Sequence, residues 1–548
     1  MKRFIPVLLL LLIAFSSCMK KENHDVKRPK LVVGLIVDQM RWDYLYRFYA
    51  RYGDDGFKRL MNKGFSCENT MLNYIPANTA PGHACVYTGS VPSIHGIAGN
   101  SWIDNMSGKN VYCVQDDNVR EVGDPASTAS CSPRTLLTST ITDELRLATN
   151  LKSRVYGVAI KDRGAILPAG HLANGAYWYN DRNGNFVTST YYPNQNPEWL
   201  QHFNKRHLAD SLAKLNWNLL YAANTYTQSS LDATNYEKGF KGEKTPVFPH
   251  KTDSLSDSER VSMIKTMPAG NTLTIEMAKA CMEGEHLGTG EYADFLAVSL
   301  SSTDYVGHQF APNSVEIEDM YLRLDQEIAS FLKYLDKTVG KDNYLFFLTA
   351  DHAGAHNAVY LEDLDVPAGV LNIGIVPEMN AYLKSKFGKD SIVNTILNNQ
   401  VFFNNTLIAK SGMDLDKIKA STCEWLNKRP EIAYVVDMER MDHTPVPEPI
   451  RKMIVNGYSR LRSGSIQLIL NPGWYDNGGK FTGMTHGAWN PYDTHIPLLW
   501  YGWHVMKGKT YSTVDMTDIS ATLAAILHVQ MPNGCIGKVI PGLMKNKH

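Results

Sequence analysis

No two of the eight cysteines (Cys18, Cys67, Cys85, Cys113, Cys131, Cys281, Cys423 and Cys535) form a C-x-x-C pair. The chain therefore has no thiolate zinc site of the usual spacing. It also lacks net charge, since 55 basic residues balance 55 acidic ones. Without a basic footprint, no nucleic-acid partner is expected. There is no internal repeat and no low-complexity tract. The apolar run at residues 4–15 is too short to span a bilayer. What remains is an ordinary globular composition, 44% hydrophobic and 20% charged, over 548 residues that can bury a large core.

Lys2 and Arg3 precede that apolar run, and Ser16-Ser17-Cys18 follows it. Residues 1–17 thus read as an export signal. Cys18 after small residues resembles a bacterial lipoprotein signal, in which the Cys is acylated and becomes the new N-terminus. Phe15 departs from that pattern, where an aliphatic residue is more usual. Residues 18–30 read as a tether. The expected location is the periplasm or outer membrane of a Gram-negative bacterium, with membrane contact only through a lipid on Cys18. Cleavage leaves 53 basic against 55 acidic residues. With Cys18 acylated, seven cysteines remain, so at least one is unpaired. An oxidising compartment allows disulfides among the others.

The stretch that organises the rest is residues 78–83 (NTAPGH). Thr79 stands just before Ala-Pro-Gly, where the pattern predicts a loop turning into a helix. Pro81 suits a first helical turn, because its missing N–H would have had no partner there. A Thr oxygen at a helix start faces unpaired N–H groups and partial positive charge. That setting favours attack on an anionic phosphate. Threonine caps are common, so Thr79 acquires meaning only from its company.

Residues 31–37 (LVVGLIV), 154–160 (RVYGVAI), 294–300 (DFLAVSL) and 343–349 (NYLFFLT) read as buried strands of a parallel sheet. Each runs into chemistry at its C-terminal end, where open α/β sheets place ligands. Asp38 follows the first, Lys161 and Arg163 the second, Asp304 and His308 the third, Asp351 and His352 the fourth. Lys161 and Arg163, two apart in extended backbone, are expected to aim at one place. Asp304 and His308 are expected to converge on one ion from a loop or a single turn. Helices are expected at 39–62, from Ser132-Pro133 with Leu136, Leu137, Ile141 and Leu145 as its stripe, at 271–282, after Ser314, at 414–427 and at 515–527. The expected fold is α/β, a central mostly parallel sheet flanked by helices, with one catalytic domain over 31–548. Inserted subdomains are expected at about 175–272, opening on a hairpin with many aromatics, and at about 368–470.

Adding His486 from residues 483–487 (GMTHG) completes a set of carboxylates and imidazoles: Asp38, Asp304, His308, Asp351, His352 and His486. Three Asp and three His can build two neighbouring sites. Zinc suits such N/O donors, and two ions roughly 4 Å apart form the clamp used in phosphoryl transfer.

The segments VDQMRWDYL, NTAPGHACVYTGSVPSIHGIAGN, AIKDRGAILPAG, SSTDYVGHQ, TADHAG and MTHG occur in this order. Together they resemble the alkaline phosphatase superfamily, and within it the PafA-type phosphate-insensitive alkaline phosphatases, monoesterase relatives of the nucleotide pyrophosphatase/phosphodiesterases. The resemblance implies two Zn²⁺ ions. Asp38, Asp351 and His352 would hold one together with Thr79, and Asp304, His308 and His486 the other. It implies Thr79 as the nucleophile that becomes phosphorylated. Asn100 would donate to a phosphoryl oxygen, and Lys161 and Arg163 would contact the others. His83, His95 and His356 lie in or beside these motifs and are read as supporting residues.

The Lys161/Arg163 pair points to monoesters. A monoester carries about two negative charges and keeps them on its non-bridging oxygens in a loose transition state. The diesterase branch that the chain resembles lacks the pair. The expected activity is release of inorganic phosphate from small phosphate monoesters by a monomer, through a phosphothreonine. A phosphodiesterase or nucleotide pyrophosphatase with the same metals is the enzymatic alternative. A non-catalytic phosphate-binding lipoprotein is the alternative from another class.

Overall fold

The computed structural model describes residues 27–544 apart from Ile373. The signal segment 1–17 and Cys18 lie outside the described residues. Strand β1 (Leu31–Val37) is buried along its whole length, as a strand covered on both faces must be. It is followed by β2 (Phe65–Met71), β3 (Val155–Ala159), β4 (Gly175–Asn180), β5 (Asn185–Ser189), β6 (Asp294–Leu300) and β7 (Tyr344–Thr349). Next come β8 (Val393–Leu397), β9 (Gln400–Phe403), β10 (Ile432–Asp437), β11 (Ile466–Leu470) and β12 (His495–Gly502). The main sheet runs β2-β12-β7-β1-β6-β3-β4-β5, with short strands at its edges. Its central five strands, β7 to β4, are parallel. β12 and β5 run against their neighbours. The sheet is mostly parallel, as expected.

Register carries the sheet towards its chemistry. Ile36 pairs with both Thr349 and Ser299, and Ser299 pairs with Ala159. Two residues beyond each of these stand Asp38, Asp351, Ser301 and Lys161, all just past the same ends of four adjacent strands. Helices pack around this sheet: α1 (Thr79–Thr88), α2 (Asp162–Ala169), α3 (Ala269–Gly284), α4 (Ser302–Phe310), α5 (Val315–Leu335) and α6 (Asp518–Leu527). All ten residues of α1 are buried. Gly82 lets its first turn touch the strand ends, since a Cβ there would stand 2.3 Å from the Asp351 carbonyl oxygen.

Two expected helices form differently. The segment 39–62 breaks into Tyr44–Arg47, a tight turn and Phe57–Lys63. The break is held by Asp325 of α5, whose carboxylate accepts the N–H groups of Gly53 and Phe57, each at 2.7 Å. A charged acceptor strengthens such bonds to about 1.5–3 kcal/mol, enough to outcompete a marginal helix. Ser132 caps only the single turn Pro133–Thr135. The chain restarts as a helix at Ile141, where Thr140 and Asp143 form a reciprocal capping box, and Leu137 is left exposed.

The β4–β5 hairpin forms, but it continues the main sheet. Its aromatics Tyr177, Trp178 and Tyr179 share one core with β1. From Leu371 to Leu470 the chain builds a separate antiparallel sheet, β8-β9-β11-β10. Met379, Leu383, Val401, Ile418 and Ile466 give this sheet its own core. The seven described cysteines are all free thiols. Among the described residues no helix is long and apolar enough to cross a membrane.

Candidate active site

The strand ends bring two groups together, Asp38–Asp351–His352 and Asp304–His308–His486, each with donor atoms within 4.8 Å of one another. Asp304 and His308 share one face of α4, four residues apart on a full helix. His486 arrives on the loop before β12. Each imidazole is oriented by a backbone carbonyl at Nδ1: Ala353 for His352 at 2.9 Å, Met484 for His308 at 2.8 Å, Ala77 for His486 at 2.6 Å. That bond fixes the tautomer and leaves Nε2 as the free lone pair, the arrangement typical of metal-binding histidines.

The Nε2 atoms face carboxylate oxygens. His352 Nε2 lies 3.7 Å from Asp38 Oδ1 and 3.5 Å from Asp351 Oδ2. His308 and His486 Nε2 lie 3.2 and 3.7 Å from Asp304 Oδ1. Asp38 Oδ1, Asp304 Oδ1 and Asp351 Oδ2 are buried and have no hydrogen-bond donor. Three buried carboxylate oxygens without a donor would be costly unless a cation completes them. Both groups therefore fit metal ions.

Thr79 is the first residue of α1, with Asn78 as the cap. Its Oγ1 lies 3.5 Å from His352 Nε2 and 3.3 Å from Lys161 Nζ. Lys161 Nζ also bonds Asp38 Oδ2 at 2.7 Å and Asp304 Oδ2 at 2.6 Å. It thereby ties the outer oxygens of both groups together while their inner oxygens stay open. Asn100 Oδ1 accepts the Ala80 N–H at 2.9 Å, which leaves its amide N–H₂ free of that bond. A cleft of about 270 Å³ opens here, lined by Asn78, Asn100, His308, Thr485 and His486 among others.

Lys161 and Arg163 are both placed by the start of α2 and both lie near Tyr305. Lys161 caps α2 and Arg163 lies within its first turn, so the same-side rule of extended backbone does not hold. Arg163 Nη1 donates to Tyr112 Oη at 3.1 Å, and Tyr112 Oη donates to Asp162 at 2.5 Å.

Charge is strongly polarised across the cluster. Burial and the neighbouring Asp351 hold Asp38 well above the usual carboxylate range, against the pull of Lys161. Asp304 goes the other way: burial opposes its charge, but His308 and Lys161 outweigh burial and hold it well below that range. Burial, with the His352 and His308 rings disfavouring a further positive charge beside them, holds His486 far below its ordinary value.

His83 supports the site from beneath. Its Nδ1 lies 2.8 Å from the Thr79 carbonyl and 3.3 Å from Asp351 Oδ2, and its Nε2 2.8 Å from Ser299 Oγ. His95 is buried, with its Nδ1 accepting the Ile97 N–H, and belongs to neither donor group. His356 bonds Asn313. Tyr112 and Asn398 were not anticipated. Tyr112 carries no local signal. Asn398-Asn399 between two apolar runs is a hairpin signal, but not one that points to this site.

The chain matches the type I phosphodiesterase / nucleotide pyrophosphatase family over residues 32–489. It is 51% identical over 522 residues to alkaline phosphatase PhoV of Synechococcus elongatus, covering 95% of this chain and 94% of that one. It is 47% identical to alkaline phosphatase PafA of Elizabethkingia meningoseptica, covering 95% of each. The chain belongs to the PafA-like alkaline phosphatase family. A crystal structure of wild-type PafA superposes with a TM-score of 0.92 at 46% identity, over 95% of this chain and all of that one. The PafA-like fold thus includes the inserted antiparallel sheet.

Proposed function

We propose that this chain is an alkaline phosphatase that hydrolyses small phosphate monoesters through a phosphothreonine on Thr79, at a site for two Zn²⁺ ions. The observation that carries the reading is the set of three donor-less carboxylate oxygens facing three oriented imidazoles around the Thr79 hydroxyl. Adjacent donors of a tetrahedral zinc site with bonds of about 2.0–2.1 Å stand about 3.3 Å apart. The spacings of 3.2 to 3.7 Å within the two groups support zinc. When bound, the two ions would supply Lewis acidity for the Thr79 hydroxyl, the leaving oxygen and the hydrolytic water.

The protein's own groups do the rest. The start of α1 presents Thr79 Oγ1 to phosphorus with the helix dipole favouring the anion. Asn100, its Oδ1 held by Ala80, offers Nδ2 to a non-bridging oxygen. Lys161, 3.3 Å from Oγ1, adds charge where a dianionic monoester carries it, and Arg163 stands behind it on Tyr112. Attack by Thr79 breaks the ester bond, and the alcohol leaves. Water then cleaves the phosphothreonine, releasing inorganic phosphate and restoring the hydroxyl. We further propose export to the periplasm or outer membrane of a Gram-negative bacterium, with removal of residues 1–17 and a lipid anchor on Cys18.

The test is kcat/KM of zinc-loaded protein for an aryl phosphate monoester and the matching diester, with Lys161→Ala/Arg163→Ala alongside. A monoester lead of orders of magnitude that collapses in the double variant supports this reading. A diester lead, or an unchanged variant, assigns the chain to the phosphodiesterase branch.

A further inference from the structure

The residues on either side of Thr79 are both pinned, by different means. Ala80 donates its N–H to Asn100 Oδ1 at 2.9 Å. Asn78 donates Nδ2 to Asn398 Oδ1 at 3.0 Å, and Asn398 donates its own Nδ2 to the Ser101 carbonyl at 3.0 Å. Residues 100 and 101 are consecutive, so these bonds close a circuit: Asn78, Asn398, Ser101, Asn100, Ala80, with Thr79 between its ends. Three of the five members lie within the motif segments, and Ser101 directly follows one. Asn398 comes from about 300 residues away, on the inserted antiparallel sheet.

The fold presents that amide rigidly. Asn398 and Asn399 form the two-residue turn between β8 and β9, with φ of 57° and 56° and Leu397 paired to Gln400. Left-handed backbone at both positions gives a turn that matches strand twist, and Asn tolerates it. The turn is also closely seated: a Cβ on Gly99 would lie 2.3 Å from Asn398 Nδ2. β9 is braced by Gln400, whose Nε2 donates to Gln467 Oε1 of β11 at 3.0 Å.

We propose that Asn398 is a positioning residue for phosphoryl transfer, and that the inserted sheet serves the active site by holding the Thr79 and Asn100 loops in register. The proposal rests on the assignment of Thr79 as nucleophile. Asn398 touches neither the metal-binding groups nor Thr79 itself. It acts through Asn78 on one side and through the backbone beside Asn100 on the other. Misplacement of a nucleophile relative to an oxygen-binding donor by a fraction of an ångström to an ångström costs rate with little cost in stability.

Asn398→Gly is the informative variant, because Gly keeps the left-handed turn and deletes only the amide. Three readouts on zinc-loaded protein decide the matter: kcat/KM for an aryl phosphate, bound zinc, and melting temperature. The expected result is a kcat/KM lowered roughly tenfold to hundredfold, with zinc content and melting temperature unchanged. In an Asn100→Ala background the same substitution should cost clearly less, since the circuit is already open. Activity within about twofold of wild type, loss of zinc or melting temperature in step with activity, or full additivity with Asn100→Ala would each overturn the positioning role. Thr79→Ala in the same assay separates the two claims. An inactive Thr79→Ala beside an unaffected Asn398→Gly removes only this proposal, whereas an active Thr79→Ala removes the assignment beneath it.

Discussion

His250 and His352 are both wholly buried among carboxylates, and their nitrogens are used in opposite ways. His250 Nδ1 lies 3.1 Å from Glu243 and its Nε2 2.9 Å from Glu316. Both nitrogens face carboxylates, which favours the imidazolium. Burial opposes that charge, but the two glutamates push its pKa up to about 9. His352 sends Nδ1 to a backbone carbonyl and turns Nε2 on oxygens that have no donor, and burial lowers its pKa. The difference shows that acid–imidazole proximity alone does not mark a metal site. In His250 the second nitrogen meets another carboxylate, which favours an ion pair; in His352 it meets a carbonyl, which leaves Nε2 facing two carboxylate oxygens that have no donor.

The largest effect that would break this contrast is at Thr79, the proposed nucleophile. Thr79→Ala should lower monoester hydrolysis by about 10⁴-fold or more without losing zinc. A substantial residual rate in a purified assay would mean that the metal site works without this hydroxyl. Next in size is a pH effect on stability from the ion-pair cluster. The folded pKa of His250 lies above its ordinary value of 6.5. Its contribution, about 3 kcal/mol, is thus complete below pH 6.5 and is lost as pH rises through about 9. Denaturant unfolding at pH 6, 8 and 10 should show this decline in the wild type and a flatter profile in His250→Gln. Equal slopes in the two proteins would show that His250 is not charged in the fold.

Lys161→Ala should reduce kcat/KM for an aryl monoester by about 10²-fold and reduce diester turnover much less, measured on protein of verified zinc content. An equal loss on both esters would make Lys161 a brace for Asp38 and Asp304 and not a reader of substrate charge. The smallest expected effect is that of Tyr112→Phe, which removes the hydroxyl that receives Arg163. About a tenfold loss of monoester activity, absent when Arg163 is already Ala, would sharpen the role of Arg163. A loss that persists in the Arg163→Ala background would assign Tyr112 a contact of its own.

Much of the site was legible in the chain because its residues sit just past apolar strands. A run such as LVVGLIV is a buried parallel strand wherever it lies in the sheet, and its next residue must emerge at the ligand-binding edge. Asp38, Lys161 and Asp351 could be read that way, and Asp304–His308 as a pair that helical spacing keeps together. The helix over 39–62 was misread because its interruption depends on Asp325, some 270 residues on, which offers a carboxylate to Gly53 and Phe57. The backbone around Lys161 and Arg163 was misread as extended because strand periodicity was carried past Ala159 into the start of a helix.

The chain by itself determined which groups carry the chemistry and at which edge of the sheet they emerge, since apolar runs, caps and motif order are local properties. Only the tertiary structure decided how those groups are used. It turned His308 and His486 by bonds to distant carbonyls, set Lys161 between two carboxylates, and brought Asn398 from a second sheet against Asn78, the cap of α1. Those decisions depend on contacts between residues hundreds of positions apart, and no local pattern encodes the distance at which two such residues meet.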